Sequence, residues 1–444
     1  MFKYFPHTEA DIEQMKQKIG IDSTEQMFQA IPSAVRYHQD YKVPSAMSEV
    51  ELRNHLEDIG RLNQTKTIFS GLGAYDHYEP SVINHIISRQ EFLTSYTPYQ
   101  PEISQGTLTY IFEYQSMITA LTGMDVSNAS MYDGPTATAE AMFMASAITK
   151  RNKILVSETL NPNIIDVVKT YAKYKGIQVE FIHQKQGSVD IEDLNAKLDD
   201  TVSGVIVQRP NFFGIIEDYQ GFSELIHANN SIWMINSDIS TLGVLRTPAE
   251  DDADIACGEC QSLGMPVAFG GPYLGYLAAK KGHVRKMPGR ICGQSFDRNH
   301  VRSFVLTLQA REQHIRREKA NSNICSNQSL LALYATVYLS LMGPEGLKRV
   351  NELSYIGAHY LYDQLIKTGK FTPVFNKPFL KEFVLHTHLN VEMIQKQLSD
   401  HGFFGAVNIG EIDERYENVL NFCVTEKRSK TEIDRLVAIL GGLS

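Results

Sequence analysis

Three places in the sequence carry residues whose type and spacing could do chemistry. The first is "YDGPTATAEAMFMASA", Tyr132 to Ala147. Gly134 lets a backbone come close, Pro135 suits the first helical turn, and Thr136 and Thr138 add hydroxyl donors ahead of an Ala-rich run. Such a start either holds a phosphate-sized anion or is simply a well-capped helix. The second is Asp238 in "NSDISTLGVL", just past the strand-like "SIWMIN". A carboxylate there is either a helix cap or a partner for a pyridinium nitrogen. The third is "GECQSLGMPVAFGGPYLGY", Gly258 to Tyr276, a glycine-rich loop between strands that looks like a cofactor-enzyme active site yet contains no lysine.

An anion-type loop followed about a hundred residues later by a strand-end Asp suggests a fold that holds pyridoxal phosphate (PLP). Such an enzyme needs a lysine, bound to the cofactor as a Schiff base, on the loop after the next strand. Here the next strand is "ADIAC", and Gln261 stands at the expected place. Lys280 and Lys281 follow "YLGYLAA"; if those residues form a strand, the lysines lie about 20 Å from the loop and read as exposed strand ends. Cys257 and Cys260 form a lone "CGEC", a redox pair or half a zinc site only if more ligands join it. Cys292, Cys325 and Cys423 stand alone, and no metal site is expected.

The elements that must position these residues read as follows. Residues 1–64 form short helices with start signals Asp22-x-x-Glu25 and Ser48-x-x-Glu51, a helical arm. Residues 65–325 alternate short apolar runs ("KILVSE", "QVEFIH", "GVIVQ", "SIWMIN") with amphipathic helices, which predicts a large α/β domain with a mostly parallel sheet. Gln105 to Thr122 reads as a helix with Leu108, Ile111, Ile118 and Leu121 on one face and Gly123 as its C-cap. Residues 326–444 begin with a long helical stretch broken at "MGPEG" and end in a small α+β domain of two helices on a short sheet.

Composition sets bounds on function. A net charge of −9 over 444 residues argues against nucleic acid or an anionic membrane as the main partner. No apolar stretch is expected to reach the roughly 20 residues a membrane helix needs. The start, "MFKYFPHTEADIEQ", lacks a basic and then apolar signal pattern, and five cysteines make no disulfide framework, so a cytoplasmic enzyme is expected. The run Arg311 to Lys319 reads as a solvated helix face with i to i+4 ion pairs, and His314 as a surface histidine.

At this point the residues carry a resemblance. "YTPYQPEISQGTL" (Tyr96 to Leu108), "NASMYDGPTATAEA" (Asn128 to Ala141), the Gly258 loop and "REQHIRREKANSNICSNQSL" (Arg311 to Leu330) resemble the glycine dehydrogenase (decarboxylating) P-protein family. The match is to the separate N-terminal half found in bacteria that divide the protein into two chains, and similarity of pattern covers nearly the whole sequence. The resemblance implies an aminotransferase type I-like fold and a companion subunit whose His-Lys-Thr loop carries the PLP lysine. Laying that loop on this sequence puts Gln261 at the lysine's place. Cys260 where glycine is expected, Ser262 for proline, Pro135 for alanine and Asn321 for threonine depart from the pattern and bear on loop geometry.

The activity so implied is the first step of the glycine cleavage system. Glycine loses CO2 on PLP, and the aminomethyl group passes to the lipoyl disulfide of the H-protein, which is reduced. The implied partners are the lysine-bearing subunit, as an α2β2 assembly, and lipoylated H-protein. The expected site residues are pocket candidates Gly134, Pro135, Thr136 and Asp238 and, on the Tyr- and Pro-rich stretch "SYTPYQPE", Ser95, Tyr96 and Tyr99 as a loop reaching a partner's site. That stretch serves equally as a stiff connector packed on its own domain. A self-contained PLP enzyme using Lys280 or another lysine, and a non-catalytic scaffold, are the alternative readings.

Overall fold

The computed structural model describes residues 4–37, 39, 41–268, 270–311, 313–322, 324 and 327–443; Cys325 lies outside them. Its contacts divide the chain into two compact units, residues 1–64 and 65–444.

Short runs rich in Ile, Val and Ala build the centre of the second unit as a seven-stranded sheet. Five adjacent strands run parallel: Ile255–Glu259, Ile232–Asp238, Val202–Gln208, Lys153–Ser157 and Gln178–Ile182. Gly275–Ala279 adds on antiparallel, between Ile255–Glu259 and the short Val126–Ser127. Near-continuous apolar runs are what strands covered on both faces require. Trp233 and Ile235 enter the core on one face, while Ile232 and Met234 enter the core on the other, as the two-residue period of a strand dictates.

Helices Gly134–Thr149 and Pro162–Lys175 cover one face, through residues such as Ala137, Ala141, Ile164 and Val168. Gln105–Thr122 and the first half of Ser329–Lys367 cover the other, through Tyr114, Ile118, Tyr334 and Tyr338. The C-cap expected at Gly123 is present, with φ 73°. The mixed α/β fold with a mostly parallel sheet expected from the sequence is thus the fold observed.

The long helix is interrupted at Gly343, whose φ of 59° and ψ of −176° are closed to side-chain-bearing residues, and Pro344 restarts it. By length and composition alone this helix would pass for a membrane span, so the expectation that no such stretch exists does not hold. Its Tyr334, Tyr338, Leu347 and Leu361 are buried in the protein's own cores. Beyond it a four-stranded antiparallel sheet (Phe371–Pro373, Glu382–Thr387, Val419–Cys423, Val407–Asn408) packs with helices Val391–Asp400 and Lys430–Gly442. Thr67–Phe69, at the start of the unit, pairs with Phe403–Gly405.

In the first unit, helix Glu49–Gly60 opens with the expected capping box of Ser48 and Glu51. The other signal is a correction: Asp22 caps no helix, and the box in this region is Thr8 with Asp11, opening Glu9–Ile19. A second correction concerns Arg311 to Lys319. The stretch is not one helix but single turns at Gln309–Arg311, Gln313–Arg316 and Arg317–Lys319. The Arg311 guanidinium donates to the carbonyls of Met287 and Gly289.

Candidate functional site

The parallel strands end together, and ligands of such sheets sit beyond those carboxyl ends. Asp238 and Glu259 are paired neighbours at the ends of their strands, and Gln208 ends the next one. With Gly134, Pro135, Tyr75, Asn161, Asn236 and Tyr273 they line a solvent-open cleft of about 750 Å³. Three of the four expected pocket residues, Gly134, Pro135 and Asp238, thus lie together. Thr136 stands behind them, its hydroxyl bonded to the capping Asp133.

The helix that starts at Gly134 is capped internally. Asp133 and Thr136 form a capping box, and Thr138 donates to the Gly134 carbonyl while accepting from Asn236. The remaining donor that faces the cleft, the Gly134 N–H, goes to Glu259 Oε2 at 2.8 Å. Glu259 Oε1 accepts from the N–H groups of Cys260, Gln261 and Leu274 at 3.1, 3.1 and 3.2 Å. Burial pushes the Glu259 carboxyl up to about 8, against the lowering effect of the Gly134 N–H, with Asp133 adding to the rise. Gly258, before it, has φ 150°, and a side chain there would run into the Ser237 carbonyl.

Asp238 does not stand free at its strand end. Lys381, one residue before strand Glu382–Thr387 of the C-terminal sheet, reaches it with Nζ 2.6 Å from Oδ2, and Ser262 donates to Oδ1. Lys381 also donates to His77 Nε2 at 2.9 Å and lies 3.9 Å from the centre of the Tyr75 ring. His77 Nδ1 in turn meets Glu426 at 2.6 Å. Burial, then the Lys381 charge, lower the His77 pKa, which makes the ring neutral with Nδ1–H donating to Glu426. Burial would raise Asp238, but the Lys381 charge and hydrogen bond outweigh it and hold the carboxyl below its ordinary range.

Gln261 is fully buried and is not among the residues that line the cleft. Its Oε1 accepts from the Tyr75 N–H at 2.8 Å, and its Nε2 donates to the carbonyls of Tyr75 at 2.9 Å and Met265 at 2.7 Å. The carboxamide therefore pins one segment to the loop that follows Ile255–Glu259. A lysine ammonium in its place could not accept the Tyr75 N–H.

The other expected residues lie apart from this cleft. Lys280 sits past Ala279, which pairs with Ile255 at the opposite end of the sheet, and it is held by Asp252 at 2.7 Å and Asp254 at 3.1 Å. Lys281 follows it, with its backbone N–H bonded to Asp125. Cys257 and Cys260 point into the two separate cores, and burial pushes Cys257 up to about 12, which leaves neither as half of a redox pair. Among the described residues no cluster of His, Cys, Asp and Glu could hold a metal. Ser95 donates to the Phe92 carbonyl, Tyr96 and Tyr99 are exposed, and the Tyr99 hydroxyl and ring both meet Arg290.

The family model described as glycine cleavage system P-protein matches residues 2–440. The chain belongs to that family. It is 48% identical over 445 residues, all of both chains, to the probable glycine dehydrogenase (decarboxylating) subunit 1 of Desulforamulus reducens. A solved glycine decarboxylase (P-protein) in inhibitor-bound form superposes with TM-score 0.89 at 38% identity, covering 99% of each chain. Glutamate decarboxylase of Lactobacillus brevis shares the fold alone, with TM-score 0.71 at 11% identity over 92% of this chain and 95% of that one.

PLP is the cofactor of the P-protein, and the fold is that of PLP-dependent enzymes of fold type I. In this member of the P-protein family the residues at the cleft do not fit that cofactor. The loop at residues 258–276 contains no lysine, Asp238 already carries a cation, and the Gly134 N–H already has an acceptor. The sequence reading located Gly134, Asp238 and Gln261 but missed Lys381, His77, Glu426 and Glu259. Glu259 was visible two residues before Gln261, in the same quoted loop; Lys381 lies over a hundred residues further on with no local pattern to mark it.

Proposed function

We propose that this chain is the non-nucleophilic subunit of a two-chain glycine decarboxylase, acting in the cytoplasm with a lysine-bearing companion and lipoylated H-protein. The observation that carries this is Gln261, at the position the family resemblance gives to the lysine, whose carboxamide is locked by three hydrogen bonds into the backbone. The buried free thiols of Cys257, Cys260, Cys292 and Cys423 suit a reducing compartment.

In this reading glycine loses its carboxylate as CO2 and the aminomethyl group passes to a sulfur of the lipoyl disulfide, whose other sulfur leaves as the thiol. PLP, on the companion, supplies the electron sink. This chain contributes position. The exposed Tyr96 and Tyr99, stiffened by Pro98 and Pro101, shape the mouth of the companion's site and exclude water from it, with Arg290 supporting Tyr99. An α2β2 assembly would give each companion one such loop.

Exchange of labelled CO2 into glycine, with PLP and lipoylated H-protein present, tests the assignment. Silence from each chain alone and exchange on mixing is the expected result. Exchange from this chain alone would overturn it, and equal exchange by the companion with and without this chain would reduce the chain to a scaffold.

A further inference from the structure

A PLP-type fold leaves three local demands: the first N–H groups of a helix want an acceptor, a buried carboxylate at a strand end wants a cation, and the loop beyond the next strand wants its side chain tied down. In a loaded enzyme the cofactor's phosphate, its ring N–H and its bond to lysine meet them. In this chain each demand is met from within, by Glu259 at Gly134, Lys381 at Asp238, and Gln261 on the Tyr75 and Met265 backbone.

We propose that Glu259, Lys381 and Gln261 form a built-in substitute for the cofactor, which keeps this chain's pocket folded and closed to phosphate-bearing ligands. Two further observations support it. Among the described residues, those lining the cleft include Asp133, Asp238 and Glu259 and neither lysine nor arginine, so a phosphate dianion entering it would meet carboxyl groups with no counter-charge among them. Lys381 is itself held from behind, by neutral His77 and by the Tyr75 ring, and His77 by Glu426. That second layer is what a preorganised charge partner needs, and it draws on residues 75–78, the end of the long loop after Thr67–Phe69, and on the C-terminal sheet. The pocket is thereby a joint between the large sheet and the C-terminal sheet.

The inference rests on the fold and the cleft, not on the chain's share in turnover, so its test uses binding alone. The purified full chain and three variants, Glu259→Ala, Gln261→Lys, and Gln261→Lys with Glu259→Ala and Lys381→Met, are titrated with PLP and with inorganic phosphate by equilibrium dialysis. Samples are then treated with borohydride and mapped by mass spectrometry. The natural chain and Gln261→Lys alone should bind neither ligand in the cleft, because the Gly134 N–H keeps its acceptor and Asp238 its cation. Glu259→Ala frees the Gly134 N–H and should bind inorganic phosphate about tenfold more tightly than the natural chain.

The triple variant should retain PLP covalently at position 261, the introduced amine condensing with the aldehyde with loss of water and the borohydride fixing the bond. Retention at position 261 in Gln261→Lys alone, or one PLP bound per natural chain and displaced by phosphate, would overturn the proposal. If the triple variant does not fold, the phosphate comparison decides: equal affinity in the natural chain and Glu259→Ala overturns it as well. A chain that binds no PLP yet supports no CO2 exchange with its companion would count against the assignment as a decarboxylase subunit and leave this proposal standing.

Discussion

Asp238 is held ionised by one ammonium, so the pair's removal from one side is costly. Lys381→Met leaves the carboxyl buried without its cation and should destabilise the chain by about 3–5 kcal/mol in urea unfolding near neutral pH. The sign with pH follows from the lowered Asp238 pKa. Its contribution is present above the ordinary value of 3.8 and is lost as pH falls below it, so the gap between natural chain and variant should shrink on acidification. A gap independent of pH would show that Lys381 acts by packing alone. Glu259 works in the opposite direction. Its carboxyl is raised from 4.5 to about 8, so its contribution is full below 4.5 and is lost as pH rises through about 8. Glu259→Gln, uncharged throughout, should gain on the natural chain by a few kcal/mol, roughly, between those limits, read as diverging urea midpoints. Parallel midpoints across the window would contradict the assignment of the buried charge to Glu259.

The elements were legible where their pattern is local. Short apolar runs marked all five parallel strands within two residues, and Gly123 and "MGPEG" marked a helix end and a helix break. Asp22 misled because its side-chain acceptor and the Glu three residues on satisfy the capping pattern while the backbone there makes only a short 3-10 turn with Ser23 at its cap. The stretch from Arg311 misled because it folds as separate single turns, and Arg311 donates to carbonyls of residues 287 and 289, which no helical spacing reveals. At the break in the long helix, Gly343→Ala meets no atom within 4 Å, so its cost should be the backbone conformation alone, about 1–3 kcal/mol in a thermal melt. A neutral result would mean that the break relaxes. For the loop at residues 95–102, Tyr96→Ala should slow CO2 exchange of the mixed chains several-fold while leaving the melting of this chain unchanged, since the side chain is exposed. An unchanged rate would assign the loop to its own domain.

At the scale of the molecule, the sequence revealed the half of the site that a PLP fold shares with its relatives: the Gly134 helix start, the strand-end Asp238 and the loop of Gln261. What it concealed is the half that refills the pocket. Lys381 reaches Asp238 across 143 positions and Glu426 reaches His77 across 349, and such pairs exist only once the two sheets are packed. The proposal is thus of a P-protein fold whose own pocket is structural, with the chemistry carried by a second chain. The measurement that tests this most directly is borohydride reduction of the working mixture of both chains with PLP, followed by intact mass of each. The account expects the cofactor's mass on the companion alone, one per companion chain, and none on this chain. A cofactor fixed to this chain, at Lys280 or any other lysine, would contradict it.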